Sequence, residues 1–570
     1  MNFFKSILES RLLSDSKLPP LIISGLMTVA ASAMVVHNEL VWDDVFLIRD
    51  FQQTMISKSP WEILTVPFWE NSSYNTAPLP GYWRPLTSFV LWLLANIGGS
   101  TWIYHTVSLI ALLATGIAIA LLLVTICPSQ KIAAIWVCMI FCIHPLSVEV
   151  LCMASNISDH LSLLFMVLSL TLSIQYLLCP KRGLPAAIAM ATFFSCASKE
   201  LGILCIGILP LAILTVRLCR PHSFAGRIPK RSIAILFPVT ILPVLTFLIL
   251  RNITLTNAGE LTPLVNKAFQ IDPILLLFAW GQLLKHTFLP VPAGAHLMLH
   301  DTDIAAWVWG ILYVLLPLLL LTVKHGNKNI RYFSMLSWYL SALVIIPSLP
   351  GADSHWGSIF IPIRYFNIPL TTMLIAVLPF FSRAATTKLH FALPIAVVSL
   401  ALLSFIRISD WNNSLSLYTA EYFYHPHSAV DAANLCEALI RRKKFNEAEK
   451  TIIEFEQNNR PLYGRRAAMK YAILSKIVLR RDGDINLATH YIQKALWYNQ
   501  YELQYVFNLA QIRLHAGHPE EAIWVLRQAL TARWHTKKQK NVIRNRIKNY
   551  SSYLKSENGD DEIHFQEQAQ

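Results

Sequence analysis

Hydrophobic positions dominate the first two thirds of the chain and thin out abruptly in the last third. From Leu18 to about Ile408 apolar blocks alternate with short polar stretches. Several blocks approach the roughly 20 apolar residues that a helix needs to cross a bilayer. They predict helices near 19–38, 101–126, 131–147, 160–178, 184–197, 200–217, 232–250, 304–323, 332–349, 365–381 and 389–407. Beyond Asp410 apolar residues recur at helical spacing among charged ones, the pattern of water-soluble amphipathic helices.

That last third also repeats itself. Lys470 to Tyr498 and Glu502 to Leu530 each read as helix, turn, helix. Ala488 and Ala522 open the second helices, and Ala495 and Ala529 follow seven residues later in each. Gly483 and Gly517 fall in the turns, 34 residues apart, which is the tetratricopeptide period. A degenerate earlier copy is expected from Ala432 to Ile453. The basic stretch Lys537 to Lys555 reads as a solvated capping helix in preference to a lipid contact. The expected organisation is a membrane domain over 1–408, a repeat domain over 409–536 and a basic tail over 537–570.

Composition supports the membrane reading. Of 570 residues 54% are hydrophobic and only 14% charged, against about 25% charged in a soluble domain. A disordered chain, a collagen-like fibre, a disulfide-stapled miniprotein and a purely soluble enzyme are all disfavoured. The nine cysteines form no CxxC pair, and eight lie in or near apolar blocks, as small buried hydrophobes do. The net charge of +14 is partly a topology signal, because basic residues in short loops mark the cytoplasmic side. Placing Lys181-Arg182, Arg217 to Arg231, Lys324 to Arg331 and Arg383 to Lys388 inside gives roughly eleven alternating spans. Two apolar stretches, about 86–97 and 275–289, must then lie in the interface or re-enter. The loop 37–100, the loops around 251–303 and 350–364, and the repeat domain fall outside the cytoplasm.

Against so few charges, the polar residues beside the spans become candidates for chemistry. Asp43 and Asp44 follow the first span, and adjacent carboxylates at a membrane surface are costly unless used or paired. Neighbouring residues point in different directions, so one can face a reacting group while the other bonds backbone or a metal. A helix cap for the segment from Val45 is the structural alternative. Arg84 stands in Gly81-Tyr82-Trp83-Arg84-Pro85, where a guanidinium beside aromatic rings suits a phosphate or carboxylate. An interfacial aromatic belt with a snorkelling arginine is the competing view. His105, His144, Glu149, Asp159, Lys199, Glu200, Arg364 and Tyr82 complete the set on the same expected face. No P-loop, dinucleotide-binding glycine pattern, HExxH or GxSxG element occurs in a suitable context.

The order of these motifs resembles a known family. "WDDVFLI", "YWRPLTSFVLWL", "IYHTVSLIALL", "FCIHPLSVEVLCMASNISDHLSLLF", "SKELGI" and "IRYFNIPL" precede "DWNNSLSLYTAEYFYHPHSAVDAANL" and the repeats. Together, over residues 40 to 530, they resemble the transmembrane and tetratricopeptide-repeat O-mannosyltransferases of the GT-C superfamily. "SNISD" stands where that family has a "GRAD"-like run, "RYFNIP" approximates its "RxLYLPS", and the repeat tail is short.

The resemblance implies an all-α, GT-C-type bundle of roughly eleven transmembrane helices with a C-terminal tetratricopeptide-like domain. It implies an inverting hexosyltransferase that moves a monosaccharide, mannose in the eukaryotic members, from a polyprenyl-phosphate carrier to a hydroxyl of a protein acceptor. Asp43 or Asp44 would be the base, and Arg84, Lys199 and Arg364 would hold the lipid phosphate. A divalent cation, if used, would sit on Asp43 and Asp44. The expected location is a bacterial inner membrane with a periplasmic C-terminus, or the endoplasmic reticulum with a lumenal one. Expected partners are the lipid-linked donor, the acceptor, held through the repeat domain, and the membrane, with no nucleic acid. Two other readings stand beside this one: a GT-C enzyme acting on a lipid or cell-surface glycan, and a non-catalytic scaffold that gathers partners on its repeats.

Overall fold

A computed structural model describes residues 18–71, 81–219, 228–257, 273–290, 294–299, 304–322, 328–346, 354–355, 358–377, 392–459, 461–535 and 537–556. The chain divides into two compact units, one reaching as far as Ser416 and the other built mainly from Leu417 onward. Both are helical.

The first unit begins with α1 (Leu18–Ala33) and the short helices α2 (Gln52–Ser57) and α3 (Pro60–Thr65). There follow α4 (Pro85–Asn96), α5 (Thr101–Ile126), α6 (Lys131–Ile143), α7 (Pro145–Cys152), α8 (Ile157–Leu178), α9 (Leu184–Ser198), α10 (Ile208–Cys219) and α11 (Lys230–Asn257). After them come α12 (Pro273–Phe288), α13 (Ile304–Thr322), α14 (Lys328–Ile345), α15 (Asn367–Ala376) and α16 (Ala392–Asp410). Helix α8 packs between α5 and α9, α9 also meets α11, and α16 lies along α1. Strand β1 (His296–Leu299) pairs antiparallel with β2 (Ser358–Pro362), His296 opposite Pro362.

Among the described residues five helical segments are long and apolar enough to cross a membrane, or six if a bent pair counts as one span. The five are Thr101–Ile126, Ala154–Leu178, Glu200–Cys219, Lys230–Asn257 and Ala392–Asp410. Their surfaces carry exposed Ile110, Phe237, Leu242, Ile249 and Leu402, as lipid-facing helices do. The roughly eleven spans expected from hydropathy are thus matched only in part, because several apolar blocks fold into shorter helices. The expected span 131–147 breaks at His144, where α6 and α7 meet at 49°. Helix α9 has 15 residues and α15 has 10. The block 86–97, expected not to cross, is the 12-residue α4. The span from Glu200 begins as eight residues of 3-10 helix, Glu200–Gly207, before α10 takes over.

Helix α17 (Ser414–Tyr424) leads into the second unit, which is built from helix pairs. These are α18 (Ala429–Arg441) with α19 (Phe445–Asn458), α20 (Gly464–Arg481) with α21 (Ile485–Tyr498), and α22 (Leu503–His515) with α23 (Pro519–Thr531). Each pair folds back through a tight turn, and successive pairs stack: α20 on α18 and α19, and α22 on α21. The recurring alanines make the close approaches: Ala448, Ala488, Ala495 and Ala522 are fully buried. Gly483 and Gly517 take left-handed φ of 67° and 75° in their turns, a conformation that side chains disfavour. In the first pair Lys443 occupies the equivalent position with φ 59°, so that pair lacks the glycine signature. The basic helix α24 (Lys537–Ser556) inserts Ile543 beside Phe507, Ala522 and Leu526, with Arg546 over the Phe507 ring at 4.0 Å. It caps the stack.

Candidate functional site

The loop after α1 is anchored before it reaches its acids. Asn38 Nδ2 donates to the Ile408 carbonyl at 3.0 Å, and the Glu39 amide donates to the Asn412 carbonyl at 2.8 Å. Trp42 then adopts a left-handed φ of 56°, which costs a bulky residue roughly 1–2 kcal/mol. Packing holds it there: its ring stacks on Trp411 at 6.2 Å and meets His296 edge-on at 6.1 Å. The chain reverses at Trp42 and continues as one π-helical turn, Val45–Arg49.

The two acids part company at this reversal. Asp44 is fully buried, and each of its carboxylate oxygens accepts one backbone amide at 2.7 Å: Oδ2 from Ala154 and Oδ1 from Ser155. It stands at the head of the Val45 turn yet makes no cap bond there. It ties the first loop to the turn between α7 and α8 instead. Burial pushes its carboxyl up to about 7, while the bonds from Ser155 and Ala154 pull the other way. Asp43 is half-buried and lies in the field of two cations. Burial raises its carboxyl, and Arg364 and Arg84 counteract that.

Arg84 sits just before Pro85 at the start of α4, and its Nε donates to Glu200 Oε2 at 2.9 Å. Its guanidinium lies 4.6 Å from the Tyr82 ring centre and 5.0 Å from that of Phe68. Trp83 turns away, stacking on Phe247 at 5.5 Å and donating its indole N–H to the Leu64 carbonyl. Arg251 donates to the Gly81 carbonyl at 2.9 Å and steadies the strand of chain that carries Tyr82. The Tyr82 hydroxyl is pushed up to about 12, chiefly by burial.

Lys199 and Glu200 occupy the corner between α9 and the 3-10 segment. Lys199 Nζ donates to both Asp159 oxygens, at 2.6 and 2.7 Å, and lies 5.9 Å from the Tyr365 ring centre. Burial pulls its amine down, against the pull of Asp159. The corner closes because Gly202 presses on the α9 backbone: a Cβ there would collide with the Ser195 carbonyl and the Cys196 amide. Arg364, on the turn Ile363–Phe366 that follows β2, lies over Tyr365 at 5.8 Å and is coupled to Asp43 and Asp159.

Asp43, Asp159 and Glu200 are thus interleaved with Arg84, Lys199 and Arg364, three acids with three bases. Glu149 stands at the edge of this set, coupled to Arg364 but held at 3.3 Å by Arg407, which also reaches Asp410. His144 is engaged by backbone: Nδ1 accepts from the Leu146 amide at 3.2 Å and Nε2 lies 3.1 Å from the Thr287 carbonyl. His105 is buried in α5 beside the Asn38–Glu39 backbone. Neither histidine faces the acids and bases just described. Phe68, Arg251 and Arg407 were not singled out from sequence. For Arg407 the signal existed, an arginine closing an apolar helix. For Phe68 there was none. Asp43 and Asp44 belong to no group of three or more clustered metal-ligand side chains among the described residues.

No protein-family model, no curated protein and no solved structure matches the chain.

Proposed function

We propose that the chain is a membrane glycosyltransferase that moves a monosaccharide, mannose as the first candidate, from a polyprenyl-phosphate carrier to a hydroxyl of a protein acceptor. The observation that carries this reading is the half-buried Asp43 in the field of Arg364 and Arg84, with Arg84 paired to Glu200 and Lys199 to Asp159 in the same charged set. A scaffold has no use for a half-buried carboxylate in the field of two guanidiniums. The expense of six ionisable side chains gathered in one largely buried place speaks for use in chemistry.

In the proposed step Asp43 takes the proton of the acceptor hydroxyl as its oxygen attacks the anomeric carbon. The bond from that carbon to the phosphate oxygen breaks, the anomeric centre inverts, and the lipid phosphate leaves with one more negative charge. Protonation of Asp43 removes a negative charge from Arg84 and Arg364 at that moment. Their positive charge is then free to meet the charge appearing on the phosphate. Arg84 is the better placed for a phosphate, since its guanidinium is fixed by Glu200 and two aromatic faces. With both Asp44 oxygens taken by backbone amides, Asp43 is the base and Asp44 the positioning residue.

On this reading the shorter apolar helices complete a GT-C-type bundle of about eleven crossings. The site and the repeats lie on the periplasmic or lumenal side, and the helix pairs are tetratricopeptide-like units that present the acceptor. The test is transfer in vitro from defined polyprenyl-phosphate sugars to protein and to lipid or glycan acceptors. Asp43→Asn is expected to lower transfer by about 10²–10⁴-fold with unchanged thermal unfolding. Full activity of Asp43→Asn would remove the assignment, and transfer confined to the lipid fraction would move the acceptor to the other class.

A further inference from the structure

The junction between α17 and α18 gathers three side chains that the transferase reading does not use. We infer that Glu421, His425 and Asp431 form a binding site for a divalent transition cation. One ligand atom from each of the three lies within 4.8 Å of those of the others. Local structure sets the geometry. Glu421 and His425 are one helical turn apart, and the His425 amide donates to the Glu421 carbonyl at 2.9 Å, so both side chains leave the same face. The chain then turns over Pro426 and His427 to Ser428. The Ser428 amide donates to the His425 carbonyl, and its hydroxyl accepts from the Asp431 amide at 3.2 Å, which caps α18. That cap puts Asp431 in the first turn of α18, with Oδ2 3.4 Å from His425 Nδ1.

Simpler roles explain part of the cluster. An acid in the first turn of a helix is favourable by itself, and a histidine beside an aspartate is a common pair. Neither role calls for a second carboxylate. Glu421 and Asp431 both have 0% exposure, and drawing two like charges together away from water is costly. One imidazole nitrogen and two carboxylate oxygens suit Zn²⁺ or Mn²⁺, whose bonds of roughly 2.0–2.2 Å would draw the three atoms inward by a modest amount. With neutral imidazole the donors carry two negative charges, which a divalent cation balances. Bound there, the ion would fasten the end of α17 to the start of α18.

The test uses the full chain in detergent, stripped with chelator, desalted and titrated with Zn²⁺. Wild type is expected to retain one equivalent more metal than Glu421→Gln or His425→Gln, with at least tenfold tighter binding. Its unfolding temperature should rise with Zn²⁺, while the two variants gain nothing. Metal-free Glu421→Gln should unfold cooperatively and close to metal-free wild type, since glutamine keeps the shape of the side chain, and this separates lost binding from lost folding. Equal retention by wild type and both variants, or a Zn²⁺ shift that persists undiminished in them, overturns the site and leaves an ion-pair cluster only.

Discussion

The two units use the same ion pairs to opposite ends. In the repeat unit Lys444 and Glu447 meet at 2.9 Å with both side chains about half exposed, and Lys450 and Glu454 at 3.7 Å are freer still. Such pairs are worth about 0–1 kcal/mol and mostly keep a surface soluble. In the membrane unit Lys199–Asp159 and Arg407–Glu149 have side-chain exposures below 10%. There each charge loses its hydration, and an apolar replacement of the same volume would be as stable or more so. The first set stands where charge is cheap and dispensable. The second stands where charge is expensive, which points to work other than stability.

The largest expected effect comes from splitting a buried pair. Lys199→Ala removes the side chain bonded to both Asp159 oxygens and should destabilise the protein by about 3–5 kcal/mol, read as lost thermal stability in detergent. The double variant Lys199→Met with Asp159→Leu should recover that stability yet, on the proposed function, remain without transfer. If it regains sugar transfer as well, the pair is structural and the contrast between the units collapses.

Asp44 gives a pH-dependent version of the same contrast. Its carboxyl lies near 7 in the folded protein, above about 3.9 in an unfolded chain. The folded state therefore holds the proton longer, and the stabilising share is complete below about pH 4 and is lost as the pH rises through 7. The unfolding temperature of wild type minus that of Asp44→Asn should fall across this window, by the equivalent of a few kcal/mol. A flat difference from pH 4 to pH 8 would show that Asp44 does not titrate there.

Gly202→Ala should cost about 1–3 kcal/mol through overpacking against α9 and displace Lys199 and Glu200 together. If the protein is the proposed transferase, transfer should fall more than stability does, and an unaltered rate would detach that corner from the site. At the small end, Lys444→Ala in the repeat unit should change stability by only about 0.3–0.5 kcal/mol. A loss of several kcal/mol would mean that the exposed pairs matter after all.

Legibility followed the same divide. In the repeat unit small residues at fixed spacing announced the helix pairs, and the blurred first pair is explained by Lys443 standing where the later turns have glycine. In the membrane unit hydropathy located the helices but could not measure them, because it does not register the bend at His144 or the switch to 3-10 geometry at Glu200. Asp43, Arg84, Lys199 and Arg364 stood out because charge is rare around them. Which of Asp43 and Asp44 bonds backbone was not legible, since that depends on where the Ala154–Ser155 turn arrives in space. Glu421, His425 and Asp431 were hidden by an ordinary background of charged helix residues.

The 3-10 segment that opens the Glu200–Cys219 span has one more consequence, a metric one. It rises about 2.0 Å per residue where an α-helix rises 1.5 Å. Eight residues in that form followed by the twelve of α10 therefore extend for roughly 34 Å, against 30 Å for an unbroken α-helix of the same length. The hydrocarbon layer is about 30 Å thick. A stretch of only 20 residues thus acquires a few ångströms of slack, enough to lean within the bilayer while its first residues still emerge at the boundary. Stiffening that segment into regular α-helix would shorten the rod, and Lys199 and Glu200 would be drawn down toward the lipid.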